Sequence, residues 1–238
     1  EPDIDLNIMK DGQDLFDVTS NVLLEVKKVL IAYDPDIVLV HGDTTTTMAS
    51  SVAAFYLGIP VGHVEAGLRT YDVHAPYPEE FNRQVVSKIS QYHFAPTQTS
   101  MSNLLKENVH EDNIIVTGNT VIDALFWTLN KINSNNELKK SIELKLKDIL
   151  KFDFLASDQK VILITGHRRE NFGDGFIQIC EALNYLASSR KEFQFVYPVH
   201  MNPNVQSPVK DLLGGNNNVH LIEPLEYEPF IYLLSNSF

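Results

Sequence analysis

Short apolar runs rich in β-branched residues recur along the chain, and longer stretches with helical periodicity separate them. Runs of this length and composition are typical of strands buried on both faces of a parallel sheet. Strands that alternate with helices favour right-handed βαβ units, so we predict an α/β fold. The predicted strands are Ile37 to Val40, Val61 to Val64, Tyr92 to Ala95, Ile114 to Val116, Val161 to Thr165, Phe193 to Val199 and Val219 to Ile222.

Two of the intervening stretches show a clear helical pattern. The first runs from Thr44 to Leu57 and stops before Gly58, a residue type that commonly follows a helix end. The second begins after Pro78, a residue type suited to a helix start. Apolar residues that recur at helical spacing are Met48, Val52 and Phe55 in the first stretch and Phe81, Val85 and Ile89 in the second.

A change in composition interrupts the alternation between about residues 131 and 160. Six lysines lie between Lys131 and Lys151, beside several asparagines and only sparse apolar residues. We therefore predict a first Rossmann-like domain over residues 1–130, a helical connector over 131–160 and a second Rossmann-like domain over 161–238. The alternative is a surface helix within a single domain.

The charge and cysteine content of the chain disfavour several classes of partner. Among its 238 residues, 31 acidic side chains outnumber 19 lysines and arginines, which gives a formal net charge of −12. Such a surface repels phosphate backbones and anionic lipids, so we expect no nucleic-acid partner and no membrane partner. The one cysteine, Cys180, excludes an internal disulfide and fits a reducing compartment such as the cytoplasm.

Polar residues follow several predicted strands, at the edge where open α/β sheets bind ligands. His41 and Asp43 follow the first strand, and Glu65 follows the second. These residues are therefore candidates for a ligand site. The corresponding groups in the second half of the chain are Gly166-His167-Arg168-Arg169 and His200-Met201-Asn202.

Most of these candidates also have a purely structural interpretation. Asp43 is placed to cap the helix that follows it, a common use of Asp. Glu79 and Arg83 stand four residues apart on a predicted helix, which is the spacing of a surface ion pair. Glu65 is harder to explain in this way, since a carboxylate ending an apolar strand is costly unless it is paired or functional. His63 lies inside its strand and is expected to be a core histidine.

Two chemical interpretations compete for these polar residues. One assigns metal binding to the oxygen and nitrogen donors His41, Asp43, His63 and Glu65. The other uses the carboxylates for proton transfer and the Gly-His-Arg-Arg block, with the amides of a following helix, for an anion. We favour the second and expect no metal site, because His63 should lie deeper in the sheet than Glu65.

Six sequence blocks closely resemble the non-hydrolysing UDP-N-acetylglucosamine 2-epimerases of bacteria. Several long blocks in one order, spread over nearly the whole chain, are far more specific than any single motif. The resemblance implies two Rossmann-like domains as in the GT-B glycosyltransferases, with the active site in the cleft between them. The blocks are VLVHGDTTTT (38–47), IPVGHVEAGLRT (59–70), PEEFNR (78–83), VTGNTVIDAL (116–125), ILITGHRRENFG (162–173) and PVHMNPNV (198–205).

The resemblance also implies a reaction and a set of site residues. The reaction is the reversible conversion of UDP-GlcNAc to UDP-ManNAc, by elimination and re-addition of UDP through a glycal, without a cofactor. By resemblance, the catalytic residues are Asp43, Glu65, Glu79 and His167. The substrate-binding residues implied in the same way are Asp43, Glu65, Arg83, His167, Arg168, Arg169, His200 and Phe230.

Some elements of the resembled family are not found in this sequence. The family's N-terminal strand and its Gly-Thr-Arg-Pro-Glu loop do not occur, and neither does the Ser-Gly-Gly and Glu-Glu block that binds UDP and ribose. We therefore expect a fragment in which both domains are incomplete and which lacks activity on its own.

Other consequences of the resemblance concern partners and competing functions. It implies a cytoplasmic homodimer that supplies ManNAc for a bacterial surface polysaccharide, with a second UDP-GlcNAc as an allosteric activator. Three alternatives remain open. They are a hydrolysing UDP-GlcNAc 2-epimerase, a GT-B glycosyltransferase and a non-catalytic binder of UDP-sugars.

Overall fold

The computed structural model describes residues 2–10, 12–155, 160–166 and 173–238. The chain divides into two compact units, Glu1–Thr120 and Val121–Phe238. Each unit contains a parallel β-sheet with helices between successive strands, which confirms the predicted α/β class. None of the helices within the described residues is long and apolar enough to cross a membrane.

The first unit is built on a parallel sheet with the strand order β1-β2-β3-β4. Three of its strands have the predicted bounds, and the first lies one residue further along than predicted. The strands are β1 (Val38–His41), β2 (Val61–Val64), β3 (Tyr92–Ala95) and β4 (Ile114–Val116). The helices are α1 (Leu15–Tyr33), α2 (Thr45–Tyr56), α3 (Glu79–Ile89) and α4 (Gln98–Lys106).

The second unit has a parallel sheet with the order β5-β6-β7. Its strands are β5 (Lys160–Leu163), β6 (Phe193–Pro198) and β7 (Val219–Ile222). Its helices are α5 (Thr120–Ser134), which begins at the last residue of the first unit, α6 (Asn136–Leu150), α7 (Asp174–Ser189), α8 (Pro203–Leu213) and α9 (Tyr227–Ser235).

The domain boundary differs from the predicted one, since the first unit ends at Thr120 and not at residue 130. The lysine-rich segment that was expected to be a connector belongs to the second unit. Ile142, Leu146 and Leu150 of α6 are buried in the same core as Val161 of β5. The lysines lie on the solvent side of this helix, and a few apolar residues on the opposite side are sufficient to bury that side in the core.

Small residues allow α2 to pack closely within the first unit. Its N-cap is Thr44, whose hydroxyl accepts a hydrogen bond from the amide of Thr47 at 3.2 Å. Ala53 and Ala54 are buried in a core that also contains Leu30 of α1. Because alanines add little width, α2 can approach its neighbours closely.

The buried face of α3 is mostly polar. The apolar periodicity that predicted this helix includes Phe81, yet Phe81 is 48% exposed. The buried residues are instead Glu80, Asn82, Arg83, Val86 and Ser87. The prediction of a helix is confirmed, whereas the apolar stripe does not mark its core face.

Gly67, in the loop after β2, leaves no room for a side chain. Its φ of +87° is disfavoured for other residues, and a Cβ atom there would lie 2.8 Å from the carbonyl carbon of Ser100 and closer still to its oxygen. Gly58 has a similar φ of +72°, but a Cβ atom there would meet nothing within 4 Å. This pair separates backbone strain from steric clash.

We predict that Gly67→Ala lowers the free energy of unfolding by at least about 3 kcal/mol, because strain and clash add. Gly58→Ala should cost only about 1–2 kcal/mol, the strain alone. Urea unfolding followed by circular dichroism measures both. Equal losses would show that the contact with Ser100 relaxes freely.

Candidate active site

The ends of β1 and β2 bring three polar side chains together. The amide of Gly42 donates to the carbonyl oxygen of Val64 at 3.0 Å, so the chain segments after the two strands stay adjacent. Gly42 and Glu65 both have positive φ, +73° and +68°, and turn the chain at this edge. As a result, the Nε2 atom of His41 lies 3.7 Å from the Oε2 atom of Glu65.

Asp43 lies at the same edge and is held by two residues of α3. Its Oδ2 atom accepts a hydrogen bond from Nη1 of Arg83 at 3.1 Å, and its main-chain oxygen accepts one from Nδ2 of Asn82 at 2.9 Å. Asp43 does not cap α2, because Thr44 does. Its side chain remains 28% exposed, as does that of Glu65, so both carboxylates are accessible to a ligand.

Arg83 connects Asp43 to a buried carboxylate, Glu80. Its Nε atom donates to Oε2 of Glu80 at 2.6 Å. Oε2 also accepts a hydrogen bond from the amide of Thr70 at 3.0 Å, and Oε1 accepts one from the amide of Tyr71 at 3.0 Å. Burial alone would raise the pKa of Glu80, but hydrogen bonds from Gln84, Thr70, Arg83 and Tyr71 outweigh it and lower the pKa to about 2.

Glu79 is the first residue of α3 and is half-buried. An acidic residue is favourable in the first turn of a helix, where the free amides carry partial positive charge. The ion pair with Arg83 suggested by the four-residue spacing is not formed, since Arg83 binds Glu80 and Asp43. Among the described residues, the Glu79 carboxylate has no hydrogen-bond partner, whereas both carboxylate oxygens of its neighbour Glu80 accept hydrogen bonds.

Two buried histidines lie beneath these carboxylates. His63 and His93 face each other across β2 and β3, and both side chains are almost fully buried. Nε2 of His63 lies 2.8 Å from the carbonyl oxygen of Gly42, to which it donates in the neutral form. Desolvation lowers the pKa of each histidine to about 4, so both are neutral near pH 7.

His63 is thus a core histidine that supports the turn carrying Asp43. The described part of the chain contains no group of three His, Cys, Asp or Glu side chains arranged to hold a metal ion.

Arg69 anchors the loop that follows Glu65. Its side chain is 0% exposed, and its Nε atom donates to Glu107 at 2.6 Å. Its Nη2 atom donates to Glu107 at 2.9 Å and to the hydroxyl of Ser87 at 2.7 Å. This guanidinium therefore joins the loop to α3 and to the end of α4, and its donors face protein groups and not solvent.

The second unit contains the remaining predicted residues. His200 is exposed after β6, and its Nδ1 atom accepts a hydrogen bond from the amide of Asn202 at 3.1 Å. Phe230 lies in α9 and is half-buried. The hydroxyl of Tyr197 in β6 donates to the carbonyl oxygen of Gly166 at 2.5 Å. The predicted site residues His167, Arg168 and Arg169 lie outside the described residues.

The sequence blocks did not single out Glu80 as a site residue, although the sequence carries a signal for it. Glu80, Arg83, Gln84 and Ser87 recur at the spacing of one helix face. A polar stripe of this kind is ordinarily assigned to solvent, because buried charges are rare unless they are paired. The alternative is a buried ion-pair network, which is what the structure contains.

Comparison with known proteins shows the family to which this chain belongs. The sequence profile of a family described as UDP-N-acetylglucosamine 2-epimerase matches residues 1–238. The chain belongs to this family. A curated relative is the UDP-N-acetylglucosamine 2-epimerase of Escherichia coli (strain K12), which is 51% identical over 236 residues, or 99% of this chain. The resemblance derived from the sequence blocks is confirmed.

Solved structures of other family members have the same fold as this epimerase-family chain. A crystal structure of UDP-GlcNAc 2-epimerase from Neisseria meningitidis bound to UDP-GlcNAc is 53% identical, with a TM-score of 0.92 over 100% of this chain. The Methanocaldococcus jannaschii enzyme, solved in complex with UDP-GlcNAc and UDP, is 31% identical, with a TM-score of 0.79 over 99% of this chain. The predicted GT-B-like class with Rossmann-like units is therefore confirmed.

This epimerase-family chain is shorter than its relatives. It spans 61% of the length of the Escherichia coli protein and 62% of the Neisseria meningitidis chain.

The buried histidines generate a prediction about pH and stability. Their pKa values in the folded protein, about 4, lie below the ordinary value of 6.5, so the unfolded chain binds more protons between those limits. Stability should therefore be complete above about pH 6.5 and fall as the pH drops toward 4. Each histidine contributes a slope of up to about 1.4 kcal/mol per pH unit.

We predict that His63→Gln, which keeps an N–H donor for Gly42 but cannot be protonated, flattens this slope by up to about 1.4 kcal/mol per pH unit. Urea unfolding between pH 4.5 and 6 would measure it. The control is His74→Gln at an exposed histidine, which should leave the slope unchanged. An unchanged slope in His63→Gln would contradict the assignment.

Proposed function

We propose that the full-length protein containing this chain interconverts UDP-GlcNAc and UDP-ManNAc. The observation that carries the proposal is the placement of Asp43 and Glu65 at adjoining strand ends, each partly exposed, with Glu79 on the helix that holds Asp43. The family membership supports it, as do relatives whose structures are described as bound to UDP-GlcNAc or UDP.

The chemistry explains why several carboxylates are needed. The hydrogen on C2 of the sugar has no adjacent carbonyl, so removing it alone leaves an unstabilised anion. If a base removes that proton while the C1–O bond breaks, the electron pair of the C–H bond forms a C1–C2 double bond and UDP leaves. Re-addition of UDP to C1, with a proton delivered to the opposite face of C2, completes the epimerisation. The cycle is redox-neutral and requires no nicotinamide cofactor.

The acid and base roles fall to Asp43, Glu65 and Glu79 in this proposal. Proton transfer on opposite faces of C2 needs acid/base groups on both sides of the sugar ring, and each positioned group typically contributes 10²- to 10⁴-fold to the rate. Glu80 is excluded from this role, because its side chain is 0% exposed and both oxygens are occupied.

The diphosphate and the uracil base are assigned to the second unit by family resemblance. His167, Arg168 and Arg169 follow β5, where arginines are well matched to phosphate geometry. His200 supports the phosphate site after β6, and Phe230 packs near the base. A requirement for cations here follows from the charge of the departing UDP.

Further parts of the proposal concern the setting of the enzyme. We place it in the cytoplasm, where nucleotide sugars are made, as a homodimer that supplies ManNAc for a bacterial surface polysaccharide. A second UDP-GlcNAc acts as an allosteric activator. The buried free thiol of Cys180 is consistent with a reducing compartment.

We predict that the full-length protein, given only UDP-GlcNAc in D₂O, forms UDP-ManNAc and incorporates deuterium at C2, as followed by NMR. Asp43→Asn and Glu65→Gln should each lower kcat about 10²- to 10⁴-fold, since each removes a proton-transfer group. Glu25→Gln, which changes an acid of α1 paired with the exposed Lys28, is the control and should keep full activity.

Other outcomes of the same experiment select other functions. Release of free ManNAc and UDP would identify a hydrolysing epimerase, and sugar transfer only after an acceptor is added would identify a glycosyltransferase. Binding of UDP without exchange at C2, unaffected by Asp43→Asn, would identify a non-catalytic binder.

A further inference from the structure

Glu80 is a fully buried carboxylate whose two oxygens are both used. Oε1 accepts hydrogen bonds from the amide of Tyr71 at 3.0 Å and from Nε2 of Gln84 at 2.8 Å. Oε2 accepts from the amide of Thr70 at 3.0 Å and from Nε of Arg83 at 2.6 Å. A charge in such a place is costly unless every lone pair is satisfied, so these contacts fix the direction of the side chain.

The groups bound by Glu80 belong to the segments that carry the three candidate acid/base residues. Thr70 and Tyr71 lie in the loop that begins with Glu65. Arg83 binds Asp43 with its Nη1 atom at 3.1 Å while its other nitrogens bind Glu80. Glu79 directly precedes Glu80 on α3. One carboxylate thus links all three segments.

We propose that Glu80 is a positioning residue, which sets the relative placement of Asp43, Glu65 and Glu79 through Arg83 and the loop at residues 70–71. The inference rests on the proposed function, since it assigns the geometry of that reaction to a residue with no access to substrate. A misplacement of about 1 Å at a catalytic group can cost about 10²-fold in rate, so a residue of this kind acts on kcat.

Hydrogen-bond chemistry identifies a substitution that tests the role. In Glu80→Gln, an NH₂ group replaces one carboxylate oxygen and faces donors instead of accepting from them. In one orientation of the new amide, the main-chain N–H of Thr70 and the guanidinium of Arg83 lose their acceptor. In the other orientation, the main-chain N–H of Tyr71 loses its acceptor, whereas the side-chain amide of Gln84 can rotate to accept from the new NH₂ group. The variant therefore frees at least one loop amide and removes the charge that pairs with Arg83, while the side chain keeps its volume.

The experiment measures kcat, KM and thermal stability of Glu80→Gln in the full-length protein, at a temperature well below every melting point. We expect kcat to fall about 10- to 100-fold while KM for UDP-GlcNAc stays within about 3-fold, because the contacts to UDP proposed for the second unit are kept and the alignment of the carboxylates is lost. Glu80→Asp, which keeps the charge but not the reach, should lose less of kcat than Glu80→Gln.

Val86→Ala is the matched control for a loss of stability. Val86 lies on the same helix, is 0% exposed and packs in the core with Leu30 and Val61. None of the hydrogen bonds of Glu80 named above involves Val86, so truncating this side chain should lower the melting temperature and leave kcat within about 2-fold.

The outcomes separate this inference from the function on which it rests. If the wild-type protein does not exchange the C2 proton, the proposed function fails and this inference fails with it. If the wild type is active and Glu80→Gln keeps kcat within about 2-fold despite a lower melting temperature, Glu80 is merely structural and the inference alone is overturned. If Glu80→Gln does not fold, Glu80→Asp decides by the same criterion.

Discussion

A buried charge that water does not reach must receive its hydrogen bonds from the protein. The Glu80 carboxylate is such a charge, and groups from α3 and from the loop after β2 bind it. The Glu80 side chain is 0% exposed, and that of its partner Arg83 is 9% exposed. Breaking a pair of this kind by removing one partner typically costs about 3–5 kcal/mol, because the other charge is left uncompensated. The loop at residues 70–71 and helix α3, which supply donors to this carboxylate, are therefore held together by it.

Other polar side chains of the first unit are also buried, and the protein accommodates them in different ways. Glu107 binds the Arg69 guanidinium with both of its carboxylate oxygens. His63 and His93 are instead kept neutral by desolvation. Ionic pairs thus hold the loop and the helix, while neutral histidines fill the space beneath the turn that carries Asp43. A purely apolar layer would pack as well, but it would not direct individual carboxylates.

The strands of this chain were predictable, whereas the buried face of α3 was not. Runs such as Val61–Val64 are apolar because parallel strands are covered on both sides, and this requirement is local enough to be read from the residues themselves. Burial of Glu80 depends on the amides of Thr70 and Tyr71, which only the folded loop brings within reach. The apolar periodicity of the sequence therefore predicted Phe81 on the buried face of α3, whereas Phe81 lies on the exposed side.

The predicted domain boundary and the division of the structure into two units differ for a related reason. The amino-acid composition of α6 is dominated by the lysines and other polar residues of its solvent side, and its buried side contributes few residues. A few buried residues such as Leu146 are sufficient to make this helix part of a core, and they are too sparse to signal it. For the candidate site, the sequence blocks predict Asp43, Glu65 and Glu79, whereas the contacts around these residues join positions ten to forty apart, which the sequence does not reveal.

The arginines of the first unit bear on how the proposed reaction is divided between the two units. That unit contains two arginines, Arg69 and Arg83. Both already bind carboxylates, so neither guanidinium is a free cation for the diphosphate. In the proposed function, the first unit supplies the carboxylates for proton transfer, and we propose that the cations that stabilise departing UDP come mainly from the Gly-His-Arg-Arg block of the sequence. A local group of cations would allow a chain with a net charge of −12 to bind an anionic substrate.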